Sequence, residues 1–518
     1  MDGEQGHHHF HPEWHMWMAS INARENAMRE DARAGTHPII TPIHDVLQAD
    51  QAFDNITYSK GQAVIRMLES YVGEDMFRAG IRAYMKDHAY GNTVTDDLWR
   101  ELDNVSPTPV TQIAHDFTLQ AGVPLIRVAK TSAGLHLTQE RAVDDDSENA
   151  PTSWHVPVTV RDLGNAREWH GIVTREAPQD VPLSSEKGGL VNAGQTAYFR
   201  VAFDDASFKD ITTSFASFSP EDQLGLINDA RDNGYIGITP FGHFLTLASQ
   251  VTPDTDAQVL DTLSGRMQGI DTVYRGLPGQ PAYRAFVRSV LDPVFAKIGW
   301  DAKPGEDTNI ALLRGDLIDA LSQTGDEGVI AEANKRFATF LQAPTAMSGD
   351  MRQTMLRVVT RHINAERWEQ LHQLAQATTD SALKEEFYTG LAFAEDPAIA
   401  QKAMDLSLTD EVPVTLRLRL IGAVSGLHPE MAFDFYVAHR DALNKVLEPD
   451  AIDRFAPGLA NSSFDPAMIE KLKAYADKYI SPGARGDSVK AEGAIAYWAK
   501  IRAHYLPEID AWLAANRK

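Results

Sequence analysis

The spacing of apolar residues changes twice along this chain, and that change limits the folds available to it. In residues 13–121 apolar side chains recur every three to four positions, as in GQAVIRMLESYV, which is typical of helices packed on one face. From Val123 to about Asp204 they alternate within short segments separated by Gly, Asp, Asn and Ser, the pattern of strands joined by turns. From about Ala206 the helical spacing returns. The pattern predicts a mostly α-helical protein with a small β-domain in its interior.

Three domains are predicted from these changes. Several short strands so close together favour a small antiparallel β-sandwich. The long run of successive helices that follows favours a HEAT-like α-helical array rather than a compact bundle. One helix in that part is expected to begin with Ser219 as its N-cap and Pro220 in its first turn. The predicted domains are a helical subdomain at 1–121, a β-sandwich at 122–205 and the α-helical array at 206–518.

Charge and composition exclude several classes of function. The 518 residues include 48 Lys and Arg against 72 Asp and Glu, which gives a net charge of −24. A surface this acidic repels phosphate backbones and anionic lipid headgroups, so neither nucleic acid nor a membrane surface is expected as a partner. The chain has no Cys, which excludes disulfides, thiol nucleophiles and Cys-bound metal centres.

The sequence also bears on the compartment. It has no apolar run of about 18 residues or more, so no membrane span is predicted. The first residues lack a basic region followed by an apolar core, so no signal peptide is expected. The compartment stays open between cytoplasm and periplasm.

The most informative motif is I-T-Y-S-K-G at residues 56–61. It resembles the I-[ST]-Y-x-K-G motif that carries the catalytic tyrosine of the M1 family of zinc aminopeptidases. The resemblance implies that Tyr58 is catalytic and donates a hydrogen bond to the oxyanion that forms at the scissile carbonyl. Spacing alone favours another interpretation, a packing residue whose hydroxyl is satisfied nearby. Lys60 and Gly61 are interpreted as loop-shaping residues.

Five further segments resemble the same family and follow the family's order. They are FHPEW at 10–14, THPI at 36–39, FTLQAGVPLI at 117–126, VNAGQTAYFRVAFD at 191–204 and LINDA at 226–230. Phe117 stands where the family usually has Trp, and Phe203 replaces a common Tyr. His37 with Pro38 is interpreted as a structural turn. The resemblance covers essentially the whole chain and implies that 1–121 is part of a gluzincin, or thermolysin-like, catalytic subdomain.

The zinc site of that family has no counterpart in this sequence. The family binds Zn²⁺ through H-E-x-x-H and a further Glu, and a G-x-M-E-N loop grips the free amino group of the substrate. Neither string occurs here, and no His is followed by Glu. We therefore expect this chain to be the carboxy-terminal part of an aminopeptidase that lacks the zinc-binding segment and is inactive alone. The resemblance implies Zn²⁺ as the cofactor of an intact member, with no specific metal or other cofactor in this chain.

A histidine-rich segment precedes the first motif. Its histidines are His7, His8, His9, His11 and His15. Two pairs have the H-x-x-x-H spacing of zinc ligands on a helix, but Pro12 interrupts one pair and no acid follows the first His of either. An adventitious tail is favoured over a native metal site.

The resemblance implies a metalloaminopeptidase that removes N-terminal residues from peptides by means of zinc-activated water. Its partners would then be peptides with free N-termini. The alternative is a non-catalytic peptide-binding or scaffold protein, since concave helical arrays bind extended ligands. Side-chain specificity and oligomeric state stay open.

The expected loss of the zinc-binding segment has a structural consequence. Residues 13–121 would lack helices against which they should pack. We therefore expect exposed apolar surface around Trp14, Trp17 and Met18, and early opening of this region.

Overall fold

The computed structural model describes residues 16–33, 36–42, 53–143, 152–343, 347–449 and 451–516. By their internal contacts the residues form two compact units, 1–262 and 263–518. The three-domain division stays a prediction. The five histidines of the N-terminal segment and Trp14 lie outside the described residues.

The first unit begins with helices, as the apolar spacing predicts. They are α1 (Met16–Asp31), a π-helical turn (Ile56–Lys60), α2 (Gly61–Val72), α3 (Glu74–Asp87), α4 (Thr95–Val105) and α5 (Thr111–Thr118). The face of α2 that carries Val64, Met67 and Leu68 is buried, in keeping with the helical period of the sequence. Gly73 ends α2 with φ of 88°, a left-handed backbone conformation that glycine adopts without a steric cost.

In the described residues that follow, seven strands form two sheets. They are β1 (Val123–Lys130), β2 (Gly134–Ala142), β3 (Val156–Asp162), β4 (Glu168–Val173), β5 (Gln179–Pro182), β6 (Gly189–Val191) and β7 (Arg200–Phe203). The strand order is β5-β2-β1-β7 in one sheet and β4-β3-β6 in the other. Apolar side chains of both sheets are buried, among them Leu137 and Val158. The predicted β-sandwich is confirmed.

One pairing departs from the antiparallel prediction. β7 lies parallel to β1, with Leu125 opposite Arg200 and Val128 opposite Phe203. The chain leaves the first sheet after β2, passes through β3 and β4, and returns to the first sheet at β5. It then crosses to β6 in the second sheet and re-enters the first sheet beside β1 as β7, in the same direction as β1. Alternation within a strand reports which faces are buried, but not the direction of its neighbour, so the sequence pattern could not show this.

A buried glutamine joins the two sheets. The Nε2 of Gln139, on β2, donates to the carbonyl of Trp154 at 2.7 Å and to that of Val173 at 2.8 Å. Its Oε1 accepts from the Trp154 amide at 2.8 Å. One side chain thereby bonds three backbone groups.

Helices return after β7. Those of the first unit are α6 (Asp205–Ser214), α7 (Pro220–Tyr235) and α8 (Gly242–Ala248), while α9 (Ala257–Tyr274) crosses the division between the units. The Oγ of Ser219 accepts from the Asp222 amide at 3.3 Å, which confirms Ser219 as the N-cap of α7 with Pro220 in its first turn.

The second unit is helical throughout its described residues. Its helices are α10 (Gln280–Ile298), α11 (Thr308–Gln323), α12 (Glu327–Gln342), α13 (Gly349–Arg361), α14 (Ala365–Ala377), α15 (Ser381–Gly390), α16 (Pro397–Leu406), α17 (Val414–Ser425), α18 (Pro429–Leu443), α19 (Ile452–Ala460), α20 (Ala467–Tyr479), α21 (Gly486–His504) and α22 (Leu506–Ala515). The predicted mostly helical fold with a terminal helical array is confirmed. The HEAT-like repeat stays a prediction. Across the described residues, none of the helices has the length and apolar character that a membrane span requires.

The expectation of exposed surface at the start of α1 is wrong for Met18. Its side chain is 1 % exposed. Trp17 is half-buried, and the guanidinium of Arg66 lies 3.9 Å from its ring centre. α1 packs against the π-helical turn and α7 as well as against α2.

Candidate active site around Tyr58

A single π-helical turn, Ile56–Lys60, presents Tyr58 to solvent. Its inward residues are buried, with Ile56 at 3 % and Lys60 at 0 % exposure, whereas Tyr58 is 59 % exposed. The ring of Phe53 lies 5.9 Å from that of Tyr58. Wide turns of this kind are rare and are often found at functional sites. The turn therefore fixes the backbone of Tyr58 while its hydroxyl stays accessible.

Lys60 anchors this turn from inside. Its Nζ lies 2.8 Å from the Oδ2 of Asp31 and donates to the carbonyl of Gln120 at 3.2 Å. Burial lowers the pKa of Lys60, and the neighbouring Asp31 carboxylate opposes that shift. Lys60 was interpreted from the sequence as loop-shaping. The structure shows a fully buried cation with a defined counter-ion.

Asp31 collects further donors from distant parts of the chain. It accepts from the Thr36 hydroxyl at 2.6 Å, the Gly122 amide at 2.8 Å and the Tyr198 hydroxyl at 3.1 Å. Burial raises the pKa of Tyr198, and the Asp31 charge adds to that effect. These residues, with Lys60, are called the Asp31 cluster below. Four of the sequence motifs meet here: the Tyr58 motif, THPI, the segment leading into β1 and the segment leading into β7.

His37 lies against the start of the same turn. Its Nδ1 is 2.8 Å from the carbonyl oxygen of Pro38, and its Nε2 is 2.6 Å from the Oδ2 of Asp54. The Oδ1 of Asp54 accepts from the Thr57 amide at 2.9 Å. The interpretation of His37 as part of a structural turn is incomplete, because its ring also contacts the residue that caps the Tyr58 turn.

A second buried group of charges lies behind α1. The Arg200 guanidinium, on β7, contacts Asp229 at 3.2 Å, Asp232 at 2.6 Å and the carboxylate of Glu25. Arg24 pairs with Glu25 at 2.7 Å. These five residues are called the Arg200 cluster. It ties α1, β7 and α7 together within the first unit and so fixes the helix that ends in Asp31.

A crevice lies beside the turn. Ser59 and Gln62 line it on one side, Trp17 on a second and Gln195 on a third. The Gln195 backbone has φ of 55°, and Arg24 donates to its carbonyl at 2.6 Å. The Gln195 side of the crevice therefore has a fixed, left-handed backbone conformation. Ser59, the residue that follows Tyr58, lines the same crevice.

Comparison with known families identifies the chain. The model of the peptidase family M1 domain matches residues 4–117, and that of the ERAP1-like C-terminal domain matches residues 190–492. The second match covers more than half of the chain. The chain belongs to the M1 peptidase family. The resemblance inferred from its motifs is confirmed.

Several curated proteins are similar to this M1-family chain. Aminopeptidase M1-A of Oryza sativa subsp. japonica is 30% identical over 448 residues, which are 82% of this chain and 50% of that protein. Aminopeptidase M1 of Arabidopsis thaliana is 28% identical over 430 residues, 77% of this chain and 48% of its own length. Puromycin-sensitive aminopeptidase of Caenorhabditis elegans is 27% identical over 400 residues, 74% of this chain and 42% of its own length. The chain spans about half the length of the curated relatives it matches.

M1 peptidases are zinc-dependent as a family, and the described residues around Tyr58 do not fit a zinc ion. No group of three or more His, Asp or Glu side chains in the described part of the chain could hold a metal. The imidazole beside the Tyr58 turn, that of His37, has both ring nitrogens engaged by Pro38 and Asp54. Zinc prefers His nitrogen and carboxylate oxygen ligands held free for it. No catalytic step is therefore routed through a metal at this site.

Sequence reasoning missed most of the residues that support Tyr58. Asp31 and Asp54 are single acids within ordinary helical or polar sequence, and neither has a spacing that marks a site. The one available signal was Lys60, because a lysine in an otherwise apolar amphipathic helix start is buried only with a partner. Finding that partner requires the tertiary structure.

Proposed function

We propose that this M1-family chain contributes the tyrosine side of a metalloaminopeptidase active site, with Tyr58 as an oxyanion donor. The main support for the proposal is the difference in exposure between Tyr58 and Lys60 within one turn. The Tyr58 hydroxyl is exposed and has no hydrogen-bond partner among the described residues, whereas Lys60, two positions on, is fully buried and paired. A packing tyrosine would be buried with its hydroxyl satisfied. The contrast supports a ligand-facing role within the family motif.

The chemistry assigned to Tyr58 is a single hydrogen bond. When water attacks the first peptide bond of a substrate, negative charge develops on the carbonyl oxygen. The phenolic O–H donates to that oxygen and stabilises it more strongly in the transition state than in the bound substrate. The described residues are assigned this stabilisation of the oxyanion only, and the activation of the water is not assigned to them.

The proposed substrates are peptides with free N-termini. The support is the family and the names of the similar proteins, which are aminopeptidases. The sequence contains no H-E-x-x-H string. We propose accordingly that the 518-residue polypeptide retains no stoichiometric zinc, once metal bound by its N-terminal histidines is removed, and does not cleave aminoacyl substrates.

The experiment measures hydrolysis of aminoacyl chromogenic amides by two proteins. One is the chain as given; the other is the same chain joined to the zinc-binding segment of a full-length M1 aminopeptidase. In the joined protein, Tyr58→Phe is expected to lower kcat by roughly 10²- to 10³-fold, the effect of losing one oxyanion donor, with little change in KM. Tyr90→Phe is the matched control, because Tyr90 is a fully exposed tyrosine of the same unit, and it should leave kcat unchanged.

Two outcomes would overturn the proposal. Zinc-dependent turnover by the chain as given would show that its own residues supply the metal site, and His7, His11 and His15 would become the first candidates. Full activity of the joined Tyr58→Phe protein would show that Tyr58 is a packing residue and not an oxyanion donor.

A non-catalytic peptide-binding or scaffold function is the alternative. It is supported by the second unit, which is helical throughout its described residues, since helical arrays can bind extended ligands. Binding of unmodified peptides by the chain as given, with no hydrolysis by the joined protein, would support it.

A further inference from the structure

We propose that His37 and Asp54 are positioning residues for Tyr58: they form a charged pair that fixes the start of the π-helical turn, and this pairing depends on a proton on His37. The proposal rests on the proposed function only for the catalytic role of Tyr58. The link between position 58 and His37 follows from contacts within the first unit and stands without any activity.

The contacts of the imidazole determine its protonation. The Nδ1 of His37 is 2.8 Å from the carbonyl oxygen of Pro38, and a carbonyl can only accept, so Nδ1 carries a hydrogen. The Nε2 is 2.6 Å from the Oδ2 of Asp54, and an ionised carboxylate can only accept, so Nε2 carries a hydrogen as well. A ring that donates from both nitrogens is an imidazolium. The pair is therefore a cation and an anion joined by a short, charge-assisted hydrogen bond.

Asp54 transmits this contact to the turn. Its Oδ1 accepts from the Thr57 amide at 2.9 Å, and its backbone carbonyl accepts from the Tyr58 amide at 3.1 Å. One carboxylate thus joins His37 through one oxygen and caps the turn through the other. If His37 loses its proton, a nitrogen lone pair faces the Asp54 carboxylate, and the carboxylate must rotate or move away. Either movement weakens the cap next to Tyr58.

The charges that face His37 favour the protonated form. Asp54 contacts the ring directly, and Asp31 acts from the Asp31 cluster, where it is bound to Thr36 and paired with Lys60. Burial alone would lower the pKa of His37, but the Pro38 carbonyl and the two carboxylates outweigh it and raise the pKa. The pKa of Asp54 is lowered although its burial opposes this, because it accepts from the Thr57 amide and from His37.

The sign of the pH dependence follows from the raised pKa of His37 and the lowered pKa of Asp54. The folded-state pKa of His37 lies above the ordinary value of about 6.5, so the pairing is complete below that value and is lost as pH rises through the raised pKa. The folded-state pKa of Asp54 is lowered, so the pairing is also lost as pH falls through it in acid. The pairing therefore holds between the lowered pKa of Asp54 and the raised pKa of His37, and it is lost on either side of that range.

The test monitors the surroundings of the side chain at position 58 and does not require catalysis. 4-Fluorophenylalanine replaces Tyr58 in the 518-residue chain, since this ring has no phenol of its own to titrate, and the ¹⁹F NMR shift is followed between pH 5 and pH 9. The Phe53 ring, 5.9 Å from the Tyr58 ring, makes the shift sensitive to the position of the turn. We expect one titration with a midpoint above the ordinary histidine value.

Three variants separate the pairing from other effects. In His37→Gln the titration should disappear, and the shift should stay near its high-pH value. In Asp54→Asn, which keeps an acceptor for the Thr57 amide, the amplitude should fall at least about threefold, because an imidazolium that has lost its partner no longer moves the turn. His115→Gln is the matched control: His115 contacts Asp96 at 2.8 Å elsewhere in the same unit, and this variant should titrate like the parent.

Each contrary result overturns the proposal. A shift that does not change with pH in the parent would show that position 58 is insensitive to the pair. An unchanged amplitude in Asp54→Asn would show that the ¹⁹F shift responds directly to the electric field of the His37 charge and not to a movement of the turn. Neither result depends on hydrolysis, so a failure here is distinct from a failure of the catalytic role of Tyr58, which the kinetic experiment measures separately.

Discussion

At the scale of single residues, the ion pair of Lys60 and Asp31 is the feature that most directly supports the candidate site. Both side chains are completely shielded from solvent. Removing two charges from water is costly, and a buried pair is maintained only when each charge has further hydrogen bonds. Asp31 has three further donors and Lys60 has backbone carbonyls, so both conditions are met. The pair thereby joins the end of α1 to the Tyr58 turn.

Lys60→Met is expected to destabilise the first unit by ~3–5 kcal/mol, because it leaves the Asp31 carboxylate buried without its cation. The measurement is the free energy of unfolding of that unit, from a urea titration followed by hydrogen exchange and mass spectrometry. Arg127→Met is the matched control, since Arg127 and Glu140 form an exposed pair on the sheet, and it should cost no more than about 1 kcal/mol. Equal effects of the two variants would contradict a structural role for the buried pair.

At the scale of secondary-structure elements, the Arg200 cluster fixes α1 against β7 and α7. Three carboxylates contact its Arg200 guanidinium, and two of them, Glu25 and Asp232, also pair with Arg24 and Arg231. Burial raises the pKa of Asp229 to about 7, with Glu25 adding to that shift and Arg200 opposing it. Burial would lower the pKa of Arg200, but its three carboxylate neighbours raise it, so Arg200 stays charged. The contact of α1 with β7 and α7 therefore depends on pH, because Asp229 titrates within it.

Because the folded-state pKa of Asp229 is raised, the folded protein keeps this proton more tightly than the unfolded chain does. Its contribution to stability is present below the ordinary Asp value and is lost as pH rises from about 4 to about 7. Asp229→Asn should remove this dependence, so the variant should lose less stability than the parent between pH 5 and pH 8. The measurement is the urea midpoint at the two pH values. Asp180→Asn, an exposed acid paired with His136, is the control and should behave like the parent.

At the scale of the whole molecule, large exposed apolar side chains are distributed unevenly over the described residues. Between residues 36 and 94 they are Ile40, Phe53, Tyr58, Met76, Met85, Tyr90 and Val94. In the whole second unit they are Leu312, Phe393, Leu408, Val414 and Val489. This exposed apolar surface lies at other residues than Trp17 and Met18, around which the sequence predicted it. Elements with little buried apolar surface open at low free energy.

Hydrogen exchange should therefore show α3 opening well before α11. The two helices have similar lengths, but α3 buries only Phe77 and Gly80, whereas the buried residues of α11 include Leu313, Leu317 and Leu321. We expect α3 amides to exchange at least about 100-fold faster, the ratio for a difference of roughly 3 kcal/mol in opening free energy. Equal protection of the two helices would contradict the expectation.

The sequence by itself determined the order of helices and strands, the family and the position of Tyr58. Apolar periodicity is a local property, since each helix or strand must bury one face whatever its partner is, and the motifs are contiguous strings. Ser219 as N-cap and the buried face of α2 follow from neighbouring residues alone. Only the tertiary structure decided which residues far apart in the chain are in contact.

Asp31 shows the physical reason. Its donors include the Gly122 amide, 91 residues away, and the Tyr198 hydroxyl, 167 residues away. Whether Lys60 is a solvated loop cation or a buried counter-ion depends on which carboxylate the fold brings to it, because desolvation and pairing act only at contact distance. The parallel direction of β7 and the protonated state of His37 have the same origin: each is set by a neighbour that local spacing cannot identify.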